Sequence, residues 1–187
     1  MRIVAGNHKG RLLAAPTGEE TRPTLGRARQ SLFDILEHGR FSATGESLLP
    51  GAQVLEAFAG SGAFGFEALS RGAAQATLID SSRAAQAAQR KNAETLGESQ
   101  AARILGGDAL RPPRGEAQTL VFLDPPYRQN LGPPALTALT TAGWIGADTL
   151  CIVEVAAKED FAAPDGFTAL DERRYGPAKF VFLRMTE

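Results

Sequence analysis

From residue 52 to the end of the chain, short apolar runs alternate with segments whose apolar residues recur at helical spacing. The apolar runs predict buried strands at residues 52–58, 74–80, 101–109, 118–124 and 149–156. The segments between them predict helices at 61–72, at 81–97 and within 131–145. Two last runs, 167–176 and 178–185, predict a closing antiparallel pair. Strands that alternate with helices in this way indicate an α/β fold with a largely parallel sheet.

The N-terminal part of the chain follows a different pattern. It predicts, in order, a β-hairpin, a loop and an amphipathic helix, at residues 2–14, 16–24 and 25–38. Thr24 is the candidate N-cap of that helix. We therefore predict a hairpin-and-helix extension over residues 1–40 and the main α/β domain over 41–187.

Composition narrows the class of protein. The 187 residues, 43% hydrophobic and 22% charged, suffice for one domain with a small appendage. The one cysteine, Cys151, cannot form an intramolecular disulfide bond and lies in an apolar run, which predicts a buried, inert thiol. No apolar stretch reaches the roughly 20 residues that span a bilayer, and the first residues are too short an apolar run for a signal peptide. We expect a cytoplasmic monomer without membrane contact, and we assign no metal ligands.

Charge is distributed unevenly. Residues 1–30 carry a net charge of +4 and the rest of the chain −5. This asymmetry has two interpretations: a solvated surface, or a basic arm that grips a nucleic acid while the acidic body modifies it. The candidate RNA-binding residues of the arm are Lys9, Arg11, Arg22, Arg27 and Arg29. By helical spacing Arg29 falls beside Leu25 and Leu32, so it has the alternative of lying against the main domain.

The segment VLEAFAGSGAFG, residues 54–65, contains a complete G-x-G-x-x-G motif formed by Gly60, Gly62 and Gly65. The motif follows a predicted strand and opens a predicted helix, and Asp80 ends the next strand about 20 residues later. Glycines allow the backbone to approach a ligand closely, and the carboxylate of Asp80 can hold ribose hydroxyls. This context favours a nucleoside cofactor over the alternative of a merely tight strand–helix turn.

An acidic residue just before the glycine motif indicates which cofactor the loop would bind. Glu56 precedes Gly60 by four residues, and the resulting E-x-F-x-G-x-G pattern, which includes Phe58, resembles motif I of class I S-adenosylmethionine-dependent methyltransferases. S-adenosylmethionine has no pyrophosphate but carries sulfonium and ammonium cations, which the carboxylate of Glu56 would favour. The resemblance also implies that Asp108, after the third strand, faces the adenine amino group; the alternative is a turn-forming aspartate.

The segment DPPY, residues 124–127, ends the fourth predicted strand. An exocyclic amino group on a base is a poor nucleophile because its lone pair is conjugated into the ring. The Asp124 side chain and the Pro125 carbonyl can accept its two N–H bonds and turn the lone pair outward, while Pro125 and Pro126 fix the backbone. Tyr127 can stack on an extruded base. The alternative is a simple strand-terminating turn, and the motif does not select between adenine, cytosine and guanine.

Further segments narrow the resemblance. MRIVAGNHKGRLL, RPTLGRARQSLFDIL, VLEAFAGSGAFGFEALSRGA, FLDPPY and RRYGPAKFVFL resemble, in this order, the RsmD-type 16S ribosomal RNA guanine-N2 methyltransferases. The resemblance implies a Rossmann-like class I domain with a seven-stranded, mostly parallel sheet and helices on both faces. It implies S-adenosylmethionine as cofactor. It also implies transfer to a guanine of the position-966 type in 16S ribosomal RNA, within a partly assembled small subunit. The sequence departs from the family pattern at Gly26, Gln30 and Asp34, which affects how the helix docks and leaves Arg27 and Arg29 freer for phosphate.

Three other functions fit these residues less well. A DNA adenine or cytosine amino-methyltransferase usually needs a sizeable target-recognition domain, whereas residues 128–187 are predicted to complete the sheet. A non-catalytic RNA-binding assembly factor would not need Glu56, Asp80 and Asp124 together. A NAD oxidoreductase would leave DPPY unexplained.

Overall fold

The computed structural model describes residues 1–16 and 25–186, without the side chain of Leu25. Its helices are α1 (Leu25–Glu37), α2 (Ala63–Ser70), α3 (Arg83–Leu96) and α4 (Gly132–Thr141). Its strands are β1 (Gln53–Ala57), β2 (Gln75–Asp80), β3 (Ala102–Gly106), β4 (Leu120–Leu123), β5 (Leu150–Ala156), β6 (Phe167–Tyr175) and β7 (Ala178–Met185). Each predicted helix and each predicted strand from residue 52 onward is confirmed. Within the described residues, no helix has the length and apolar character needed to cross a membrane.

The seven strands form one sheet in the order β3-β2-β1-β4-β5-β7-β6. The first five are parallel, and β7 is antiparallel to both β5 and β6. The predicted closing pair is therefore real, and β7 is the strand that joins it to the sheet. The chain runs outward from β1 to β3 and then returns to place β4 on the other side of β1. Ligands of open α/β sheets bind at such a switch point, outside the carboxyl ends of the strands.

Successive side chains of the buried strands point to opposite faces of the sheet, so the core has two layers. Val54 and Phe122 pack on the face covered by α1, α2 and α3, whereas Leu55 and Val121 pack on the face covered by α4. Parallel strands buried on both faces read as continuous apolar runs because every position meets a helix layer. The predicted inert thiol lies in the second layer: Cys151 is fully buried, and burial raises its pKa.

The N-terminal extension packs into the main core. Ile3 and Leu13 share one cluster with Leu32, Phe33 and Leu36 of α1 and with the sheet. The boundary predicted between residues 40 and 41 therefore does not separate two cores. At the place of the predicted hairpin, residues 1–3 and 10–13 pair antiparallel over a short length, through one isolated bridge between Arg2 and Leu12 and a few backbone hydrogen bonds, without two extended strands. The predicted N-cap Thr24 and most of the predicted loop lie outside the described residues.

Helix α2 anchors the start of the arm. The buried carboxylate of Glu67 accepts the backbone N–H groups of Val4 (2.8 Å) and Ala5 (3.0 Å). Gly6 has φ +75°, and a Cβ there would lie 1.8 Å from the Ser70 carbonyl oxygen. Only glycine permits both this conformation and this approach. The first residues of the arm are therefore held against the C-terminal half of α2.

Candidate active site

The glycine motif forms the loop between β1 and α2. Gly60 and Gly62 have φ values of 50° and 77°, in the left-handed region that glycine adopts readily. A Cβ on Gly65 would lie 2.5 Å from a Leu78 methyl carbon, so this glycine lets α2 pack closely on β2. The loop thus has the strand–turn–helix context that the spacing of the motif predicts.

Asp80 holds this loop from the neighbouring strand. Its carboxylate accepts the N–H of Gly60 at 2.7 Å and that of Ser82 at 2.8 Å. The first bond fixes the glycine loop, and the second fixes the turn before α3, whose N-cap is Ser82. Asp80 is half-buried at the end of β2, at the edge of the sheet where the glycine loop lies.

Two amides of α3 also position the loop. Gln89 donates to the Gly60 carbonyl at 2.9 Å, and Asn92 donates to the Ser61 carbonyl at 3.0 Å. Both side chains are buried. No motif indicates these residues; their only signal in the sequence is a pair of amides three residues apart in an alanine-rich helix.

Phe58 and Asp108 occupy the same edge. Phe58 directly follows β1 with φ 57°, an uncommon conformation for a non-glycine residue and one that recurs at functional sites. Asp108 is exposed two residues after β3, and its side chain accepts the N–H of Leu110 at 2.9 Å. Asp108 therefore forms a turn, as the alternative interpretation predicts. This turn lies at the edge of the sheet where the cofactor is predicted to bind.

Glu56 is buried beneath the loop. Its two oxygens accept the N–H groups of Phe64 (3.2 Å) and Gly65 (2.8 Å), in the first turn of α2. Burial raises the pKa of Glu56 to about 7, against the opposing effects of these two hydrogen bonds and of Arg29. Its charge therefore changes near neutral pH.

The DPPY segment leaves β4 beside this loop. The Asp124 N–H donates to the Ala57 carbonyl at 3.4 Å, which ties the end of β4 to the end of β1. Pro125 is buried and Pro126 exposed. The Tyr127 hydroxyl donates to Glu154 Oε1 at 2.7 Å. The predicted catalytic and cofactor residues thus meet at one edge of the sheet, on adjacent strands.

A cavity opens behind Asp124. Glu56, Glu154 and Arg29 also line it, together with Phe64 and Phe122, whose rings stack at 4.3 Å between centroids. Glu154 is 4% exposed on β5. Neither sequence motif includes Glu154, although a carboxylate inside an otherwise apolar strand is unusual enough to indicate a functional position.

The basic residues of the arm do not all lie on the surface. Lys9, Arg11 and Arg27 are exposed, and Arg11 donates to the Thr95 carbonyl at 2.8 Å. Arg22 lies outside the described residues. Arg29 requires a correction: it is 7% exposed, donates to the Arg2 carbonyl at 2.6 Å and lies 3.7 Å from a Glu67 oxygen.

The structure thus contradicts a phosphate contact for Arg29 and fits the alternative that it lies against the main domain. Burial lowers its pKa, and the carboxylates of Glu67 and Glu56 oppose that effect. The departures from the family pattern therefore do not free Arg29. Instead, Gln30 accepts a hydrogen bond from Arg71 at 3.2 Å, and Asp34 lies 4.0 Å from the same guanidinium.

Comparisons with known proteins agree with this geometry. A family model described as "Conserved hypothetical protein 95" matches residues 1–184. Ribosomal RNA small subunit methyltransferase D of Escherichia coli K12 is 38% identical over 156 residues, which cover 82% of this chain and 74% of that protein. The protein of the same name from Haemophilus influenzae is 32% identical over 181 residues, covering 94% and 89%.

The same relationship holds in three dimensions. A solved structure described as a putative methyltransferase, yhhF, from Escherichia coli superimposes with a TM-score of 0.80 at 33% identity, covering 99% of this chain and 97% of that one. The chain therefore belongs to the family of Conserved hypothetical protein 95, the RsmD family, within the S-adenosylmethionine-dependent class I methyltransferases.

Proposed function

We propose that this protein transfers a methyl group from S-adenosylmethionine to the exocyclic N2 amino group of a guanine in 16S ribosomal RNA, of the position-966 type. The observation that carries the proposal is the placement of Asp124-Pro125-Pro126-Tyr127 at the end of β4, hydrogen-bonded to the end of β1 where the glycine loop begins. The methyl donor and the amino group would then meet on adjacent strands.

The residues of the cofactor edge fit S-adenosylmethionine. The carboxylates of Glu56 and Asp80 bind the N–H groups of the glycine loop and the start of α2, and Asp108 follows β3 at the same edge of the sheet. Such a set would repel a pyrophosphate but suits a ligand with hydroxyls, an amino group and cationic centres. Asp80 would hold the ribose, Asp108 the adenine amino group, and Glu56 would favour the cationic end. The cofactor supplies an electrophilic methyl group.

The chain's own contribution to catalysis is positioning. Asp124 and the Pro125 carbonyl would accept the two N–H bonds of the amino group, so that its lone pair points at the methyl carbon. The amino nitrogen, made positive by the incoming methyl group, would pass one of its protons to the Asp124 carboxylate that accepts that N–H bond. Tyr127, anchored by Glu154, would stack on the base. The exposed cations of the arm would bind phosphates of the RNA.

The alternative of a DNA amino-methyltransferase has no support in the C-terminal part. After DPPY, the described residues form α4 and β5–β7 of the same sheet, and they include no additional recognition domain. The direct test is to map methylated nucleotides in 16S ribosomal RNA from cells with and without this protein. We expect one N2-methylguanine to disappear with the protein. If small-subunit RNA keeps all its methylated nucleotides in cells without the protein, the proposal is contradicted.

Asp80→Ala is expected to weaken S-adenosylmethionine binding by about 1–3 kcal/mol, roughly 5- to 150-fold. The change removes a ribose acceptor and also frees the Gly60 N–H that Asp80 now holds. Calorimetry measures the affinity. Asp80→Asn, which keeps one acceptor oxygen, is the control and should lie between the wild type and Asp80→Ala. An unchanged affinity in a folded Asp80→Ala variant would remove Asp80 from the ribose role.

The affinity for S-adenosylmethionine is expected to rise as pH increases from about 6 to 8. Below its pKa of about 7, Glu56 must lose a proton before it can favour a cationic ligand. Glu56→Gln should lose this component of the pH dependence, and calorimetry in buffers of different ionisation enthalpy should show proton release only for the wild type. Equal pH profiles for the two proteins would show that Glu56 does not contact the cofactor electrostatically.

Stability without cofactor should change in the opposite direction with pH. The folded pKa of Glu56 is raised above its ordinary value of 4.5, so the folded state keeps a proton that the unfolded state has lost. Glu56 therefore lowers the free energy of unfolding as pH rises from about 4.5 to 7. Denaturant unfolding of the wild type and Glu56→Gln across this range measures the effect, and parallel pH profiles would contradict it.

A further inference from the structure

Glu154 lies next to the catalytic carboxylate, on the neighbouring strand. Leu123 of β4 pairs in register with Val153 of β5, so Asp124 and Glu154 are the next residues on two adjacent parallel strands. Leu123 and Val153 both pack on the α4 face. Side chains alternate along a strand, so Asp124 and Glu154 share the opposite face and line one cavity. Adjacent strands are about 4.8 Å apart, which brings the two carboxylates within reach of one small ligand.

The cavity is rich in hydrogen-bond acceptors. Three carboxylates line it, those of Glu56, Asp124 and Glu154, against one guanidinium, that of Arg29. A buried carboxylate requires donors, and Tyr127 supplies one to Glu154 at 2.7 Å. A carboxylate can accept about four hydrogen bonds, so Glu154 can bind a further donor without losing Tyr127.

Guanine presents the donors that match this arrangement. Its Watson–Crick edge carries a ring N1–H directly beside the N2 amino group. The amino groups of adenine and cytosine instead lie beside an unprotonated ring nitrogen, an acceptor that a carboxylate would repel. A second carboxylate next to the one that binds the amino group therefore distinguishes guanine from the other two amino-bearing bases.

We propose that Glu154 accepts the N1–H of the target guanine while Asp124 and the Pro125 carbonyl hold its N2 amino group, so that Glu154 sets the specificity for guanine. This inference rests on the proposed function and assigns the choice of base to one residue outside the DPPY motif. The competing role is purely structural: Glu154 would anchor Tyr127 and have no contact with the base.

The experiment uses small subunits reassembled with 16S ribosomal RNA that carries guanine, 7-deazaguanine or 2,6-diaminopurine at the methylated position. All three bases keep the 2-amino group. 7-Deazaguanine also keeps N1–H, whereas 2,6-diaminopurine has an acceptor at N1. The wild type should methylate the first two at similar rates and 2,6-diaminopurine roughly 100-fold more slowly, as expected when a site built for a donor meets an acceptor.

Glu154→Gln should narrow this discrimination, because a glutamine amide can donate to the N1 acceptor. We expect the guanine rate to fall and the ratio of the guanine rate to the 2,6-diaminopurine rate to shrink at least about tenfold. Tyr127→Phe is the matched control: it removes the hydrogen bond to Glu154 but keeps the ring and the carboxylate. Its rates should fall on both bases with the ratio unchanged. Unchanged cofactor affinity shows that each variant is folded.

The outcomes separate the two proposals. If Glu154→Gln methylates guanine and 2,6-diaminopurine more slowly by the same factor, the ratio of the two rates stays at the wild-type value. That result would overturn the assignment and leave Glu154 as an anchor for Tyr127. Equal wild-type rates on guanine and 2,6-diaminopurine would overturn it without any variant, which keeps the test decisive if Glu154→Gln does not fold. Failure of the wild type to methylate any guanine N2 would instead contradict the proposed function itself.

Discussion

Asp124→Ala is expected to bind S-adenosylmethionine normally and to transfer the methyl group at least about 100-fold more slowly. A loss of this size is typical when one hydrogen-bonding group that stabilises the transition state is removed. The amino nitrogen would lose the acceptor that turns its lone pair toward the methyl carbon. The bond that ties this position to Ala57 is made by the backbone N–H, so the change leaves that bond in place. Single-turnover methylation with saturating cofactor measures the chemical step.

Asp124→Asn is the matched control for this prediction. It keeps one side-chain oxygen as an acceptor for the amino group, so its rate should lie between those of the wild type and Asp124→Ala. Calorimetry on all three proteins separates cofactor affinity from chemistry. A near-normal single-turnover rate for Asp124→Ala would exclude the amino-orienting mechanism and leave DPPY as a turn that shapes the cavity.

Neutralising the arm by changing Lys9, Arg11, Arg22 and Arg27 to glutamine is expected to abolish methylation while preserving cofactor affinity. The chain outside residues 1–30 has a net charge of −5, so it does not attract phosphates as a whole. Each lost phosphate contact should reduce the slope of log affinity against log salt by about one unit. Arg29 stays unchanged in this variant because it is buried against Glu67.

A comparison of two double variants controls for the loss of charge itself. Lys9→Gln with Arg27→Gln removes two exposed cations of the arm, whereas Arg103→Gln with Arg114→Gln removes two exposed cations at the opposite, amino-terminal edge of the sheet. Only the Lys9→Gln, Arg27→Gln variant should have a lower RNA affinity and a smaller slope of log affinity against log salt. If the quadruple variant binds RNA like the wild type, the RNA is held elsewhere. Arg174 would then be the first candidate, since it is exposed while Lys179 is buried beside Glu172.

Most elements of the sheet follow from the sequence because their signals are local. The strands are buried on both faces and read as continuous apolar runs, and the glycine loop and DPPY each need only a few consecutive residues. The strand order β5-β7-β6 does not follow from local signals. The sequence predicts a closing antiparallel pair, but only the packed structure places β7 beside β5. The N-terminal hairpin is likewise shorter than the sequence pattern predicts, and only the structure shows that the N–H groups of Val4 and Ala5 bind the Glu67 side chain.

The sequence by itself determined the α/β class and the glycine loop with Asp80 at the end of the next strand, and it predicted the chemistry proposed for Asp124, because these depend on residues close together in the chain or at strand ends. Only the tertiary structure decided that Arg29 is buried rather than exposed, and that Glu154 lies in register with Asp124 on one cavity. The physical reason is that burial and cross-strand proximity depend on which elements pack together. The sequence leaves two positions open for Arg29 and marks Glu154 only as a carboxylate within an apolar strand. The packing of α1 on one face of the sheet and the pairing of β5 with β4 fix where both side chains lie.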